Sequence, residues 1–181
     1  MALTHISKYI ALILRHHPEQ AGVTLDSAGW AQVDELLAGV NRRYRLTRAQ
    51  LDEIVRTDSK QRYAYSEDGT RIRANQGHSV PVDVGLTQAP PPERLWHGTA
   101  ERFLPSIRQK GLLPGSRLYV HLSADPETAR AVGSRHGRPA VLAVDSGEMA
   151  RRGFVFLRSA NGVWLTACVP PEFLSPDGMK P

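Results

Sequence analysis

Arginine and two histidines follow one another at residues 15–17, directly before Pro18. A guanidinium binds a phosphate through two parallel hydrogen bonds, and an imidazole can donate a third bond or move a proton. Arg15 and His16 are therefore candidates for phosphate chemistry. The alternative is an ordinary helix end, where cations interact favourably with the negative end of the helix dipole. This segment alone leaves both interpretations open.

A second group of basic and amide side chains occupies residues 71–79. Arg71 and Arg73 are two residues apart on a predicted strand, so their side chains lie on one face. A polar turn follows, with hydrogen-bonding groups on Asn75, Gln76 and His78. Two fixed guanidiniums beside an amide-rich turn indicate a cradle for phosphate and ribose. A solvated strand end is the alternative.

A third group ends a predicted strand in the second half of the chain. His97 and Thr99 offer hydrogen bonds to ribose hydroxyls or to a carboxamide, and Gly98 between them allows a ligand to approach the backbone.

Alternation over residues 117–123 predicts a strand with one polar and one apolar face. The polar side chains are Arg117, Tyr119, His121 and Ser123. Such a stripe favours a binding face, and an edge strand that faces solvent is the alternative. A further turn leads into a strand at residues 158–166.

The elements that carry the first two groups form an N-terminal lobe, residues 1–79. Helices are predicted over residues 4–16 and 30–40, and Thr47 with Gln50 forms a capping box that opens a third. A short strand is predicted over residues 23–26, and a hairpin turns at Asp68-Gly69. Three helices followed by a hairpin are the outline of a winged-helix module, which often binds nucleic acid.

Residues 80–92 are rich in proline and poor in charge, which predicts an extended linker. Beyond it, residues 93–181 form a second lobe of short strands. The strands are predicted at residues 95–97, 118–122, 140–145, 154–158 and 163–169, with helices at about 100–109 and after Asp125-Pro126. The fold class is α+β, with two lobes.

Composition excludes several classes of protein. No apolar run is long enough to span a membrane, and the N-terminus lacks the features of a signal peptide. A single Cys168 excludes internal disulfides and multi-cysteine zinc sites, and no metal is expected. Of 23 basic residues 19 are arginine, which favours a phosphate-rich partner, although a GC-rich genome would produce the same bias. A cytoplasmic protein without a membrane or an obligate protein partner is expected.

Taken together, six motifs resemble the NAD-dependent RNA 2′-phosphotransferases, in order along nearly the whole chain. They are LRHHPE, RIRANQGHS, WHGT, RLYVHLS, RSANGVWLT and VPPEFL. The resemblance implies a winged-helix-like RNA lobe followed by an NAD-binding lobe of the ADP-ribosyltransferase fold. It also implies an RNA partner, tRNA-like, that carries an internal 2′-phosphate left by splicing.

The resemblance also implies roles for individual residues. The catalytic tetrad would be Arg15, His16, Arg73 and Arg117. RNA or its phosphate would contact Arg71, Asn75, Gln76, His78 and Tyr119, the last of which stands where the family usually has histidine. The NAD pocket would use His97, Gly98, Thr99, His121, Ser123 and Val163. Val163 takes a position that is often glutamate in the broader fold.

The implied reaction has two steps. The RNA 2′-phosphate attacks the nicotinamide ribose of NAD and expels nicotinamide, which gives an ADP-ribosylated RNA 2′-phosphate. The neighbouring ribose hydroxyl then attacks phosphorus, which releases 2′-OH RNA and ADP-ribose 1″,2″-cyclic phosphate. Two alternatives are an ADP-ribosyltransferase that caps terminal phosphates of nucleic acid, and a non-catalytic winged-helix protein that binds nucleic acid.

Overall fold

The computed structural model describes residues 3–176 and divides the chain into two units, Met1–Gly85 and Leu86–Pro181. The division falls inside the proline-rich segment 80–92. Residues 1, 2 and 177–181 of the predicted lobes lie outside the described residues.

In its described part, residues 3–85, the first unit contains three α-helices, α1 (Leu3–Arg15), α2 (Val33–Val40) and α3 (Arg48–Thr57), and a 3-10 helix (Pro18–Ala21). Helix α1 buries Ile6, Ile10, Ile13 and Leu14, which recur at helical spacing. The predicted capping box of α3 is confirmed: Gln50 N donates to Thr47 Oγ1 at 3.2 Å, and Thr47 N donates to Gln50 Oε1 at 3.0 Å. Helix α1 therefore starts and ends close to where the sequence predicts, and α3 starts directly after its predicted cap.

Three short strands form an antiparallel sheet in the order β1-β3-β2, with β1 at Ala31–Gln32, β2 at Tyr63–Tyr65 and β3 at Arg71–Ala74. The hairpin of β2 and β3 is confirmed. Two predictions are wrong. Residues 23–26 form no strand, and the helix expected from residue 30 starts at Val33 because Ala31 and Gln32 pair with β3.

Within residues 86–176, the second unit has seven strands in two antiparallel sheets, ordered β10-β7-β5 and β4-β8-β9-β6. The strands are β4 (Thr87–Gln88), β5 (Leu95–Ala100), β6 (Val120–Leu122), β7 (Pro139–Val144), β8 (Phe156–Arg158), β9 (Trp164–Thr166) and β10 (Leu174–Pro176). The helices are α4 (Leu104–Lys110), α5 (Pro126–Gly133) and α6 (Ser146–Arg151), with 3-10 turns at Glu101–Phe103, Ser134–His136 and Pro171–Phe173. Side chains of both sheets, among them Leu95, Val144, Phe156 and Trp164, form one apolar core.

Three features of this unit depart from the sequence prediction. Strand β6 begins at Val120, so Arg117 and Tyr119 lie in a bend before it and the polar stripe is not a single strand face. Thr87–Gln88, inside the expected linker, pairs with β8. Helix α6 was not predicted. The molecule is nevertheless a mixture of helices and antiparallel sheets, as the α+β class requires.

No helix within residues 3–176 has the length and the apolar composition to cross a membrane.

Candidate active site

The end of helix α1 is joined to the segment that follows β3. The ring of His16 lies 2.9 Å from Ser79 Oγ through Nδ1, and Ser79 N donates to the carbonyl of Arg15 at 3.0 Å. Gly77 sits between them with φ +90°, a conformation that side chains rarely adopt, and a Cβ there would stand 3.6 Å from Arg15 Cζ. Glycine thus lets the turn pass directly over the Arg15 guanidinium.

Arg73 reaches the same region from strand β3. Its guanidinium lies over the ring of Trp30, 4.5 Å from the centroid, and Nη1 donates to the carbonyl of Ala28 at 3.4 Å. Its buried Nε has no hydrogen-bond partner within residues 3–176. The stack fixes the guanidinium plane and leaves an N–H that a bound anion would satisfy.

Arg71 has a different environment although it shares the strand face. Its Nη1 lies 3.4 Å from Asp26 Oδ2, and its guanidinium is 5.5 Å from the Trp30 centroid. The nearby carboxylate neutralises part of its charge, so Arg71 is a weaker candidate for phosphate binding than Arg73.

The loop that carries Trp30 is held by one carboxylate. Asp26 Oδ1 accepts the backbone N–H groups of Ala28 and Trp30, both at 2.9 Å. Sequence reasoning missed both Asp26 and Trp30 as positioning residues. The available signals were an Asp followed three residues later by glycine, which is typical of a tight turn, and an aromatic residue in a unit that presents paired arginines.

The polar turn after β3 is buried rather than solvated. Asn75 and His78 are 6% and 3% exposed, and Gln76 is half-buried. Asn75 Nδ2 donates to the carbonyl of Gln61 at 2.6 Å, while its Oδ1 has no hydrogen-bond partner among residues 3–176. Asn75 therefore anchors the turn to the loop before β2.

His78 lies at the centre of the cluster. Burial, and to a smaller extent the positive charge at Arg15, His16 and Arg73, lowers the pKa of its imidazole to about 4. The structure thus brings three of the predicted catalytic residues around one neutral ring. The Nε2 atom of His78 is buried without a hydrogen-bond partner within the described part of the chain. Positive charge concentrated beside polar atoms that lack a hydrogen-bond partner suits an anionic ligand.

In the second unit, His97 is fixed by the neighbouring sheet. A carbonyl only accepts, so the 3.0 Å contact between His97 Nδ1 and the His121 carbonyl places the proton on Nδ1. Burial lowers the pKa of His97, and Arg117 lowers it as well, against the opposing effect of the His121 carbonyl. The ring is therefore neutral, and Nε2 presents a lone pair that can accept a hydrogen bond.

His121 is oriented in the same way. Its Nδ1 donates to the carbonyl of Tyr119 at 3.0 Å. Tyr119 therefore holds His121 through its backbone, whatever its side chain contributes. Arg117 lies in the exposed bend just before.

Ser123 and Val163 are placed by strand pairing. Ser123 exchanges backbone hydrogen bonds with Trp96 at 2.7 and 2.9 Å, which brings it beside His97 on β5. Leu122 pairs with Trp164, so Val163 stands opposite Ser123 one step further along. The structure thus gathers His97, Ser123 and Val163 near one end of β6.

Gly98 and the buried Thr99 lie where β5 contacts helix α5. A Cβ on Gly98 would stand 1.7 Å from the carbonyl oxygen of Ala129, and one on Gly133 would stand 2.5 Å from that of Thr99. The sequence interpretation assigned Gly98 to ligand approach. In the structure, the backbone of α5 makes the close approach at Gly98.

Metal ligation has no candidate in the described residues. Within residues 3–176, no three side chains of His, Cys, Asp or Glu are arranged to hold a metal ion.

Known proteins resemble this chain over nearly its whole length. The family model described as RNA 2′-phosphotransferase, Tpt1 / KptA family, matches residues 2–168. A probable RNA 2′-phosphotransferase from Burkholderia lata is 54% identical over 94% of this chain and 89% of its own. The RNA 2′-phosphotransferase of Escherichia coli strain K12 is 51% identical over 95% of both chains. The chain therefore belongs to the Tpt1 / KptA family of RNA 2′-phosphotransferases.

Proposed function

We propose that the protein removes an internal 2′-phosphate from RNA and transfers it to NAD. The products are RNA with a 2′-hydroxyl, nicotinamide and ADP-ribose 1″,2″-cyclic phosphate. The observation that carries the proposal is the cluster of Arg15, His16 and Arg73 around the neutral, buried His78. Membership of the family and the names of the similar proteins support the same activity.

The first unit would bind the phosphate that is removed. Arg73 offers its buried Nε–H, and its guanidinium is preorganised on Trp30. Arg15 lies beneath the Gly77 turn and His16 is held by Ser79, so neither has to reorganise when the phosphate binds. Charge grows on the phosphoryl oxygens during transfer, and donors fixed in advance stabilise it most effectively.

The second unit would bind NAD. His97 fits that role, because a neutral imidazole with a lone pair on Nε2 accepts from a ribose hydroxyl or a carboxamide N–H without adding charge. His121, Ser123 and Val163 would complete that pocket. NAD supplies the ribose carbon and hydroxyl that take the phosphate from RNA, with nicotinamide as the leaving group.

The remaining members of the set have complementary roles. Arg117, which the resemblance assigns to the catalytic tetrad, would supply a further cation. A 2′-phosphate is already anionic at neutral pH, so no carboxylate is needed to activate it as a nucleophile. Val163 at the position that is often glutamate fits that requirement.

The test is product analysis with NAD and an oligoribonucleotide that carries one internal 2′-phosphate. Equal amounts of 2′-OH RNA, nicotinamide and the cyclic phosphate are expected. Simple phosphate release without consumption of NAD would contradict the proposal. An oligonucleotide with only a 5′-phosphate, incubated with labelled NAD, is the matched control. Label that stays on this strand would instead show that the protein caps terminal phosphates.

A further inference from the structure

A second basic surface lies on the first unit, apart from the cluster around His78. It is the loop of residues 41–45, Asn-Arg-Arg-Tyr-Arg, between helices α2 and α3. The three arginine side chains of this 41–45 loop are exposed. Nothing in the proposed reaction uses them.

The loop has a defined conformation. Asn41 Nδ2 donates to the Leu46 carbonyl at 2.9 Å, and Leu46 N donates back to Asn41 Oδ1 at 2.8 Å. These two bonds close the loop across its base. The guanidinium of Arg42 lies over Gly22, where a Cβ would be only 3.2 Å from Nη1.

Arg43 is held by two tyrosines. Its guanidinium lies 5.3 Å from the ring centroid of Tyr9 and 5.5 Å from that of Tyr44, and the two rings meet edge to face at 5.3 Å. A guanidinium that stacks through its face keeps its N–H groups free at the edge to bind phosphate. The arrangement resembles the phosphate and base contacts that proteins make to single-stranded nucleic acid.

The charges of this loop are uncompensated, in contrast to other arginines of the unit. Arg48, Arg56, Arg62 and Arg71 each pair with a carboxylate. No ion pair of Arg42, Arg43 or Arg45 occurs within residues 3–176, and the sequence has no acidic residue between Glu35 and Asp52. A fixed, unneutralised positive surface favours a polyanion over a protein partner of mixed charge.

We propose that the 41–45 loop binds phosphodiesters of the RNA strand that flank the 2′-phosphate. The inference rests on the proposed function and deepens it, because it makes the length of the RNA a determinant of affinity. Tyr9 precedes Arg15 by six residues on helix α1, which is about 9 Å along the axis. One RNA strand is long enough to contact the loop and the cluster around His78 at once.

The test compares a long and a short substrate. Replacement of Arg42, Arg43 and Arg45 by alanine should raise KM about tenfold for a dodecamer with an internal 2′-phosphate and leave kcat unchanged. KM for a trinucleotide with the same phosphate should not change. The affinity of a fluorescent dodecamer without a 2′-phosphate should also depend less on salt. The slope of log K against the logarithm of the salt concentration should become shallower by about 2, since each single-strand contact contributes about 0.7.

A triple variant with the same change in net charge is the control. Arg56, Arg138 and Arg151 are exposed and each pairs with a carboxylate, so their replacement by alanine should alter neither length dependence nor salt slope. Equal losses in both triple variants, or equal losses for both substrates, would overturn the proposal. If the alanine variant fails to fold, replacement of the same three arginines by glutamine provides the same comparison. Because the fluorescent RNA carries no 2′-phosphate, its binding reports on the loop even if the proposed reaction is wrong.

Discussion

Each unit of this molecule has a histidine whose pKa is lowered by burial, yet the two rings lie in different electrostatic settings. In the first, Arg15, His16 and Arg73 add to the effect of burial in lowering the pKa of His78. In the second, the His121 carbonyl works against burial at His97 and fixes the proton on Nδ1. The first setting suits an anion, and the second suits a neutral polar group. The proposed function agrees with this difference, since it assigns phosphate binding to the first unit and NAD binding to the second.

Two glycines show the same contrast between the units. Gly77 adopts φ +90° and brings a turn over Arg15, so its lack of a side chain serves the site. Gly98 lets helix α5 contact strand β5, so its lack of a side chain serves packing. A glycine beside a candidate ligand in sequence therefore need not act on the ligand.

The largest effect on the reaction is expected when an arginine near His78 is removed. Arg73→Ala removes the buried Nε–H and the guanidinium fixed on Trp30, and kcat should fall on the order of 10²–10³ because a preorganised donor to a developing oxyanion is lost. Steady-state assays with both substrates should show that KM for NAD is almost unchanged.

Two further variants show whether charge or geometry matters at this position. Arg73→Lys keeps the charge but loses the planar fork, so it should recover only part of the rate. Arg71→Ala should have a smaller effect than Arg73→Ala, since Asp26 already neutralises part of the charge of Arg71. Equal losses at residues 71 and 73 would contradict the distinction between them.

The second prediction concerns stability in acid. In the unfolded chain His78 takes up a proton near pH 6.5, whereas in the folded unit its pKa is about 4. The unfolded state therefore binds more protons between these values. Stability is complete above pH 6.5, falls as the pH is lowered through this window, and has lost about 3 kcal/mol below it.

Hydrogen exchange at amides in the core of the first unit, followed from pH 7 to pH 4, measures this loss. His78→Phe removes the titrating group, so the part of the loss that belongs to His78 should disappear. His5→Gln, at an exposed position on α1, should leave the profile as it is in the native chain. An unaltered profile in His78→Phe would show that His78 is not the cause.

Local signals predicted much of the first unit. The capping box of Thr47 and Gln50, the apolar spacing in α1 and the Asp68-Gly69 turn each act over a few residues, and the corresponding elements are present. The family resemblance, rather than a local signal, places Arg15, His16 and Arg73 in one set, and all three act on the pKa of His78.

Features that depend on contacts between residues far apart in the sequence could not be predicted in the same way. Ala31 and Gln32 continue a helical pattern, yet they form a strand because β3 lies beside them. Thr87–Gln88 resembles a linker in sequence, yet it forms a strand because it pairs with Arg158 and Leu157. The alternation at residues 117–123 is present in the chain, but β9 pairs only with Val120–Leu122. The role of Trp30 likewise depends on a contact with Arg73, 43 positions later (73 − 30).

The smallest effect is expected when the hydrogen-bond acceptor at His97 in the second unit is removed. His97→Leu removes the acceptor at Nε2, and KM for NAD should rise about tenfold, the effect of about one hydrogen bond, with KM for RNA unchanged. His97→Gln keeps an acceptor oxygen within reach of the same place and should recover most of the affinity. Because the pKa of His97 is lowered, KM for NAD in the native chain should stay constant as the pH falls through the ordinary titration range of histidine. A rise in KM for RNA instead of NAD would reverse the assignment of the two units.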